Sequence, residues 1–374
     1  MSELANKALT WSRNHVTNQA MDKTSDTTSL RELLRSAAKL GLLGIQVPSE
    51  YGGLGLPFSE KISVANAIAR VDFGTAMAIL NTHNVAEQLV RLNRSEIAAR
   101  VVRSIISGDL VACTALTEPN AGSDFSAIQT RAIKTGNGWQ LDGEKTWIIN
   151  AQHADVVVVY AQTQTSAGSD GIGAFLVEAN RPGFLRDTNT SLGPIATMGV
   201  GGFSLKGYQC RSEEVVSQPG SAFKDILRAI NGARTYVAAM CVGMVEESLK
   251  IAMDYGHQRH TFGKSLVAHQ GWRWVLADAS VDLEASRHLV AHATSLIEAN
   301  KDAQLAAARA KVFSTRMAQR QIAALMHAMG AEGLHEKHPF LRHLQAAQAA
   351  SLTDGSTEML LERIAREVSA PSLA

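Results

Sequence analysis

Two stretches decide how this chain reads: Thr117-Glu118-Pro119-Asn120-Ala121-Gly122-Ser123-Asp124, followed by Gly143-Glu144-Lys145-Thr146-Trp147-Ile148-Ile149-Asn150. Together they offer small polar groups and one indole, a set that suits a flat ring ligand, because an aromatic side chain packs on such a face. Taken singly, Thr117 and Ser123 could equally finish turns or strand ends, and Trp147 could be an ordinary barrel-core residue. The flanking sequence separates by periodicity. From about Leu9 to Ser107, apolar positions recur at helical spacing, as in Leu33, Leu34, Ala37, Ala38 and Leu40, and in Val64, Ala67, Ile68 and Val71. Val47-Pro48-Ser49-Glu50-Tyr51-Gly52-Gly53-Leu54-Gly55 interrupts that spacing with a proline and three glycines and predicts a tight turn or loop. From Val111 to about Gln218 the pattern becomes short β-branched runs. There Thr135-Gly136-Asn137-Gly138 predicts a hairpin between Ile133 and Trp139-Gln140-Leu141, and Val156 to Tyr160 a fully buried strand. A small antiparallel barrel or sandwich would pack such strands. Beyond Ala222 helical spacing returns almost to Pro371, with Ala-rich stretches at Ala303 to Phe313 and Ala318 to Met329, predicting a bundle of about four antiparallel helices. The expectation is an α+β chain: an N-terminal α-helical domain over residues 1-110, a middle β domain over 111-220 and a C-terminal helical bundle over 221-374.

With 374 residues the chain can bury a large core. Lys plus Arg (36) nearly balances Asp plus Glu (35), so no overall field recruits nucleic acid or an anionic membrane. Cys113, Cys210 and Cys241 are far apart with no CxxC pair. That spacing argues against a disulfide framework or a thiolate metal site and for three reduced, buried thiols. Met1 to Lys23 is polar and mixed in charge, reading as neither signal nor transit peptide, and no run of about 18 apolar residues suggests a membrane span. The chain reads as cytoplasmic.

The two quoted segments resemble those of the acyl-CoA dehydrogenase family of flavoproteins. Leu40-Gly41-Leu42-Leu43-Gly44 followed by Val47 to Gly53 is similar to that family's N-terminal signature, and Arg259-His260-Thr261-Phe262-Gly263-Lys264 with His269-Gln270 to its Arg-x-Thr-Phe-Gly signature. The order of helices, β domain and helices is also the family's, so the resemblance runs over nearly the whole chain. It implies FAD as cofactor and oxidation of an acyl thioester, in which a base removes the α-proton while the β-hydride passes to the flavin. It implies that Leu116 and Thr117 meet the pyrimidine side of the flavin, that Gly122 lies along it, that Ser123 meets both flavin and thioester arm, and that Trp147 packs on the ring beside Ile149. It further implies FAD contacts from Thr261, Phe262, Gln270, His327, Gly330 and Ser356, with Arg259 on the pyrophosphate across a subunit interface. That contact implies at least a homodimer, and the family is often a homotetramer. Asn231, Arg234, Thr353, Asp354 and Gly355 would join Ser123 on the thioester.

The departures from the family pattern bear on the chemistry. Most members carry their base as a glutamate in a Glu-Gly-Thr segment, where this chain reads Thr353-Asp354-Gly355-Ser356-Thr357-Glu358. The alternative base position, used by some members, reads Ala233-Arg234, which leaves Asp354 as the base candidate and Arg234 either to orient it or to pair on the surface. The aspartate carboxylate stops about 1.5 Å short of a glutamate's, whereas a general base must come within roughly 3 Å of its proton. The competing reading makes Asp354 a turn or N-cap residue before the final helix. Ile149 stands where a Thr or Ser hydroxyl usually bonds flavin N5, His327 where a glutamine reaches FAD, Asn231 where an aspartate touches the pantetheine arm, and Gln345-Ala346 where an Arg-Asp pair is usual. These departures imply a specialised member acting on a CoA or acyl-carrier-protein thioester, with an electron-transfer flavoprotein as acceptor. An oxidase or monooxygenase using molecular oxygen is the second reading, and an impaired flavin-binding scaffold the third.

Overall fold

A computed structural model of the protein describes residues 1–16, 27–92, 97–164, 168–187 and 192–369. The helical spacing upstream of Val111 forms α1 (Glu3–His15), α2 (Thr27–Ala38), α3 (Phe58–Ala69), α4 (Phe73–Arg91) and, after a π-helical turn at Ala98–Val102, the single turn α5 (Arg103–Ile106). Ser2 caps α1, its hydroxyl accepting from Ala5 N at 3.2 Å. The interruption after Val47 is a turn, as its glycines predict. A short 3₁₀ stretch stops at Gly52 with φ +89°, and a Cβ on Gly53 would lie 2.0 Å from the Val47 carbonyl oxygen.

Eight strands follow: β1 (Ala112–Ala115), β2 (Arg131–Thr135), β3 (Gly138–Ile148), β4 (Val156–Gln162), β5 (Ile172–Glu178), β6 (Phe184–Asp187), β7 (Gly201–Arg211) and β8 (Val215–Ser217). They form one sheet in the order β6-β7-β3-β2-β4-β5-β8, with β1 also beside β4. The β2–β3 hairpin closes through Gly136 and Asn137, with Thr135 opposite Gly138. The glycine at 138 answers to β7 more than to the turn, since a Cβ there would lie 2.1 Å from the Cys210 carbonyl oxygen. Every residue of β4 is buried, as its unbroken apolar run requires. Contrary to the antiparallel expectation, β1 and β2 run parallel to β4. β1 and β4 pair from their first residues, Ala112 beside Val156, whereas β2 meets β4 only where its first residue, Arg131, lies beside the last of β4, Gln162; β3, antiparallel to β2, returns the chain so that β4 can run in the direction of β2. Cys113, Leu141, Val157, Val159, Phe175, Val177, Phe203 and Leu205 share one buried cluster, so the sheet encloses an apolar interior. Each such side chain, fully buried, contributes about 1.5–3 kcal/mol.

The C-terminal part holds α6 (Ala222–Gln258), α7 (Gln270–Glu298), α8 (Gln304–Ala328), α9 (Phe340–Leu352) and α10 (Thr357–Val368). A two-stranded hairpin, β9 (His260–Thr261) with β10 (Lys264–Ser265), joins α6 to α7. The bundle expected to have about four helices thus has three long members and two short ones, because Thr353 to Ser356 break the last span. Buried Ala306, Ala307, Ala308 and Ala310 give α8 a smooth face against its neighbours. Pro371, like residues 17–23 of the N-terminal reading, lies outside the described residues.

The chain divides into two compact units, one made of Met1–Thr17, Phe58–Ala76 and Ile230–Ala374, the other of Asn18–Pro57 and Met77–Ala229. Among the described residues no helix is long and apolar enough to cross a membrane. The three cysteines are free and buried, and burial pushes each thiol up to about 12.

Candidate active site

In the unit containing the sheet, the loop from Leu116 to Asp124 leaves β1 and is pinned to the end of β3 by a buried ion pair. Lys145 Nζ donates to Glu118 Oε1 at 2.7 Å and to the Leu116 carbonyl at 3.0 Å. Glu118 also accepts from the backbone N–H of Gln129 at 2.5 Å and of Thr130 at 2.9 Å. Burial would raise the Glu118 carboxyl, but the ammonium and amides beside it hold it below the usual carboxylate range; desolvation depresses Lys145 to about 8. Thr146 N–H donates to the Thr117 carbonyl at 3.1 Å, so the loop and the strand that carries Trp147 are one construction. Leu116 and Thr117 are half-buried in it, while Gly122 and Ser123 lie exposed on its rim.

Trp147 is not a core residue. The β3–β7 register slips between Lys145 and Ile148, and at this bulge Trp147 takes φ +58° and turns its indole outward, 61% exposed. A left-handed tryptophan costs on the order of 1–3 kcal/mol and persists where its surroundings over-determine it. Here Asn150, with φ +67° and fully buried, donates through Nδ2 to Ala78 O at 2.8 Å, Thr82 Oγ1 at 3.1 Å and Ala112 O at 3.2 Å. Half-buried Ile149 sits between these two left-handed residues. A strained backbone that holds a large aromatic face open, beside backbone groups and hydroxyls, is a donor set that fits a flavin ring.

In the other unit, α9 gives way to a turn that gathers most of the residues read as thioester-binding. Asp354 has φ +54° and Gly355 φ +100°. Ser356 caps α10, accepting from Met359 N–H at 3.4 Å. Asp354 is therefore a turn residue but not the cap, and among the described residues no hydrogen bond holds its half-buried carboxylate. Arg234 does not pair on the surface; it is buried, its Nε donating to the Asp354 carbonyl at 3.0 Å and its Nη1 to Asn231 Oδ1 at 3.1 Å. On the next carbonyl sits a residue the sequence reading missed. Lys311 of α8, 1% exposed, donates from Nζ to Gly355 O at 2.6 Å and to Ser351 O at 3.5 Å. Its signal was available: a lysine on the small-residue face that also carries Ala307 and Ser314. Burial lifts the Asp354 carboxyl above the ordinary aspartate value, while Lys311 and Arg234 pull it back. Desolvation depresses Lys311 to about 8, against the pull of Asp354, and also lowers Arg234. A free carboxylate with a raised pKa can act as a general base.

The remaining candidates form a separate, exposed group. Arg259 follows the end of α6. Thr261 Oγ1 lies 3.2 Å from His269 Nε2, and Phe262, with φ +49° and 97% exposed, stands edge-on to the same imidazole at 6.3 Å. Gln270 opens α7, and Trp272 Nε1 donates to Ala328 O at 3.0 Å, tying that helix start to the end of α8 near His327 and Gly330. Among the described residues no hydrogen bond joins this group to the Asp354 turn.

The chain matches the N-terminal, middle and C-terminal domains of acyl-CoA dehydrogenases at residues 2–109, 113–206 and 220–369 respectively. A short-chain specific acyl-CoA dehydrogenase of Megasphaera elsdenii is 30% identical over 336 residues, covering 88% of each chain. The acryloyl-CoA reductase (NADH) of Anaerotignum propionicum is 31% identical over 346 residues, 90% of this chain and 86% of the relative. Among solved structures, butyryl-CoA dehydrogenase from Megasphaera elsdenii superposes with a TM-score of 0.90 at 28% identity over 98% of both chains. A chain from a structure described as the electron transferring flavoprotein of Acidaminococcus fermentans does so with a TM-score of 0.92 at 28% identity over 99% of both. The chain thus belongs to the acyl-CoA dehydrogenase family and is, with it, a FAD-dependent oxidoreductase.

Proposed function

We propose that this protein dehydrogenates an acyl thioester of specialised metabolism at the α,β position, with Asp354 as the base. One observation carries the reading: the Asp354 carboxylate, lifted by burial and free of hydrogen bonds among the described residues, stands in a turn whose carbonyls are taken by two buried cations. FAD, when bound, supplies the hydride acceptor. The chain supplies the rest. Trp147 and the Leu116 to Ser123 segment orient the ring, and Asp354 removes the α-proton. Because a thioester α-proton is weakly acidic, donors aimed at the thioester oxygen must stabilise the developing enolate; the backbone N–H at Asp354 is the donor this chain offers. Arg234 and Lys311 keep the turn from swinging by holding its carbonyls.

The likeness to the chain from the electron transferring flavoprotein structure supports a flavoprotein as acceptor. Ile149, an aliphatic side chain where a hydroxyl would bond the flavin, favours the second reading, an oxidase or monooxygenase using molecular oxygen. The carrier is CoA or acyl carrier protein. Phe262, Trp274 (61% exposed) and Val281 (70%) give the exposed group an apolar set that a second copy would cover, which supports a homodimer or homotetramer with Arg259 reaching the partner's cofactor. A cytoplasmic location accords with three reduced thiols.

The test is anaerobic mixing of the FAD-loaded protein with a panel of CoA thioesters, then rapid mixing with oxygen while flavin absorbance is followed. Bleaching by a thioester with slow reoxidation while ligand is bound supports the dehydrogenase. Fast reoxidation moves the assignment to an oxidase or monooxygenase, and a flavin that no thioester bleaches overturns both. Trp147→Ala should weaken FAD binding to the apoprotein about tenfold, equivalent to about 1.4 kcal/mol, and leave the thermal midpoint unchanged because the indole is mostly in solvent. An unchanged FAD titration would remove Trp147 from the cofactor site.

A further inference from the structure

The turn between α9 and α10 presents two successive carbonyls, and each is taken by a cation from a different helix: Asp354 O by Arg234 of α6, Gly355 O by Lys311 of α8. We propose that Lys311 is a positioning residue for proton abstraction, fixing the Gly355–Ser356 peptide next to the Asp354–Gly355 peptide that Arg234 holds, and setting a positive charge toward the Asp354 carboxylate. The inference rests on Asp354 being the base.

Its warrant is the cost of the arrangement. An ammonium taken almost wholly out of water is destabilising by several kcal/mol unless well compensated, yet the hydrogen-bond partners of Lys311 are neutral carbonyls, which a neutral donor could satisfy equally well. What a neutral donor lacks is the charge. The turn is also tight on the opposite side, where a Cβ on Gly355 would lie 3.3 Å from Arg234 Nη2. With two consecutive peptides anchored, Asp354–Gly355 by Arg234 and Gly355–Ser356 by Lys311, the backbone after Asp354 is kept from rotating, and the direction of the Asp354 Cα–Cβ bond is held with it. A glutamate has one more torsion with which to find its proton; an aspartate has less slack and needs its backbone held. The charged and titratable groups facing the cluster are Arg234 and Cys241 from α6, Lys311 from α8, and Glu358 and Arg363 from α10. Cys241, its thiol pushed up to about 12, is neutral in the working range. Lys311 and Arg234 favour the ionised carboxyl, so removing the lysine's charge raises the Asp354 pKa and moves the acid limb of activity upward.

The experiment compares Lys311→Gln, which keeps a donor for the two carbonyls, and Lys311→Met with wild type, all as FAD-loaded enzyme. Expected in Lys311→Gln is a fall in kcat at neutral pH with little change in KM, recovered toward alkaline pH as the acid limb moves up by about one unit. The protonated-carboxyl infrared band that Asp354→Asn abolishes should titrate at correspondingly higher pH in Lys311→Gln, a readout independent of turnover. A kcat lowered by one constant factor at every pH, with limb and band in place, means a brace only and overturns the proposal. Should Lys311→Met fail to fold, Lys311→Gln alone decides. Full turnover by Asp354→Asn would instead remove the base reading. Loss of turnover there, with limb and band unmoved in Lys311→Gln, would remove only the role of Lys311.

Discussion

Asp354→Asn is expected to lower kcat for thioester-dependent flavin reduction by on the order of 10²–10⁴-fold, the usual contribution of a positioned general base. The variant is a fair test because almost nothing else changes. Asparagine has the same size and tolerates the left-handed φ of +54° that this position requires. Arg234 and Lys311 bond backbone carbonyls that the substitution leaves in place, and the cap of α10 belongs to Ser356. The thermal midpoint should therefore stay near that of wild type. The pH dependence has a definite sign. Burial raises the wild-type carboxyl above its ordinary value, so the rate falls as pH drops through that raised pKa, at less acidic pH than a surface aspartate would give. The residual rate of Asp354→Asn lacks that limb. Wild-type turnover in the variant would sink the assignment.

Lys145→Met should cost about 3–5 kcal/mol of stability, the penalty for leaving one partner of a buried pair alone, read as a lower urea midpoint. With the ammonium gone, burial raises the Glu118 carboxyl instead of being outweighed. In wild type that carboxyl is held low, so its stabilisation is present at neutral pH and is lost only as pH falls through the depressed folded value. In the variant the dependence inverts: stability improves from neutral toward mildly acidic pH as Glu118 takes up a proton. Because the pair anchors the Leu116 to Asp124 loop, FAD affinity should fall as well. A urea midpoint equal to wild type, or one with the same pH trend, would contradict this account.

What could be read from the sequence divides along physical lines. The β4 strand was legible because an unbroken apolar run needs burial on both faces, and the Val47 to Gly55 turn because its glycines answer to φ and close approach. The direction of β1 and β2 relative to β4 was not, since side-chain alternation is the same for parallel and antiparallel pairing. Trp147 was legible as a candidate for the site only through the resemblance; its outward turn depends on a bulge that no local pattern marks. The Asp354-Gly355 turn announces itself in two residues, whereas the cations that hold it come from helices more than 40 and about 120 positions away. The charged residue on the small-residue face of α8 could be seen in the sequence, but what it holds depends on where α9 ends.

The three buried thiols have a practical corollary. With every native sulfhydryl enclosed and pushed up to about 12, maleimide chemistry at neutral pH finds no native target. The wild-type chain is therefore already a blank background for site-directed labelling. A cysteine introduced at exposed Glu144, on β3, and another at exposed Met359, on α10, would be the reactive handles. A spin or dye pair placed there would report the separation of the tryptophan-bearing strand and the aspartate turn in solution, with and without thioester, from a protein that keeps all its own residues elsewhere.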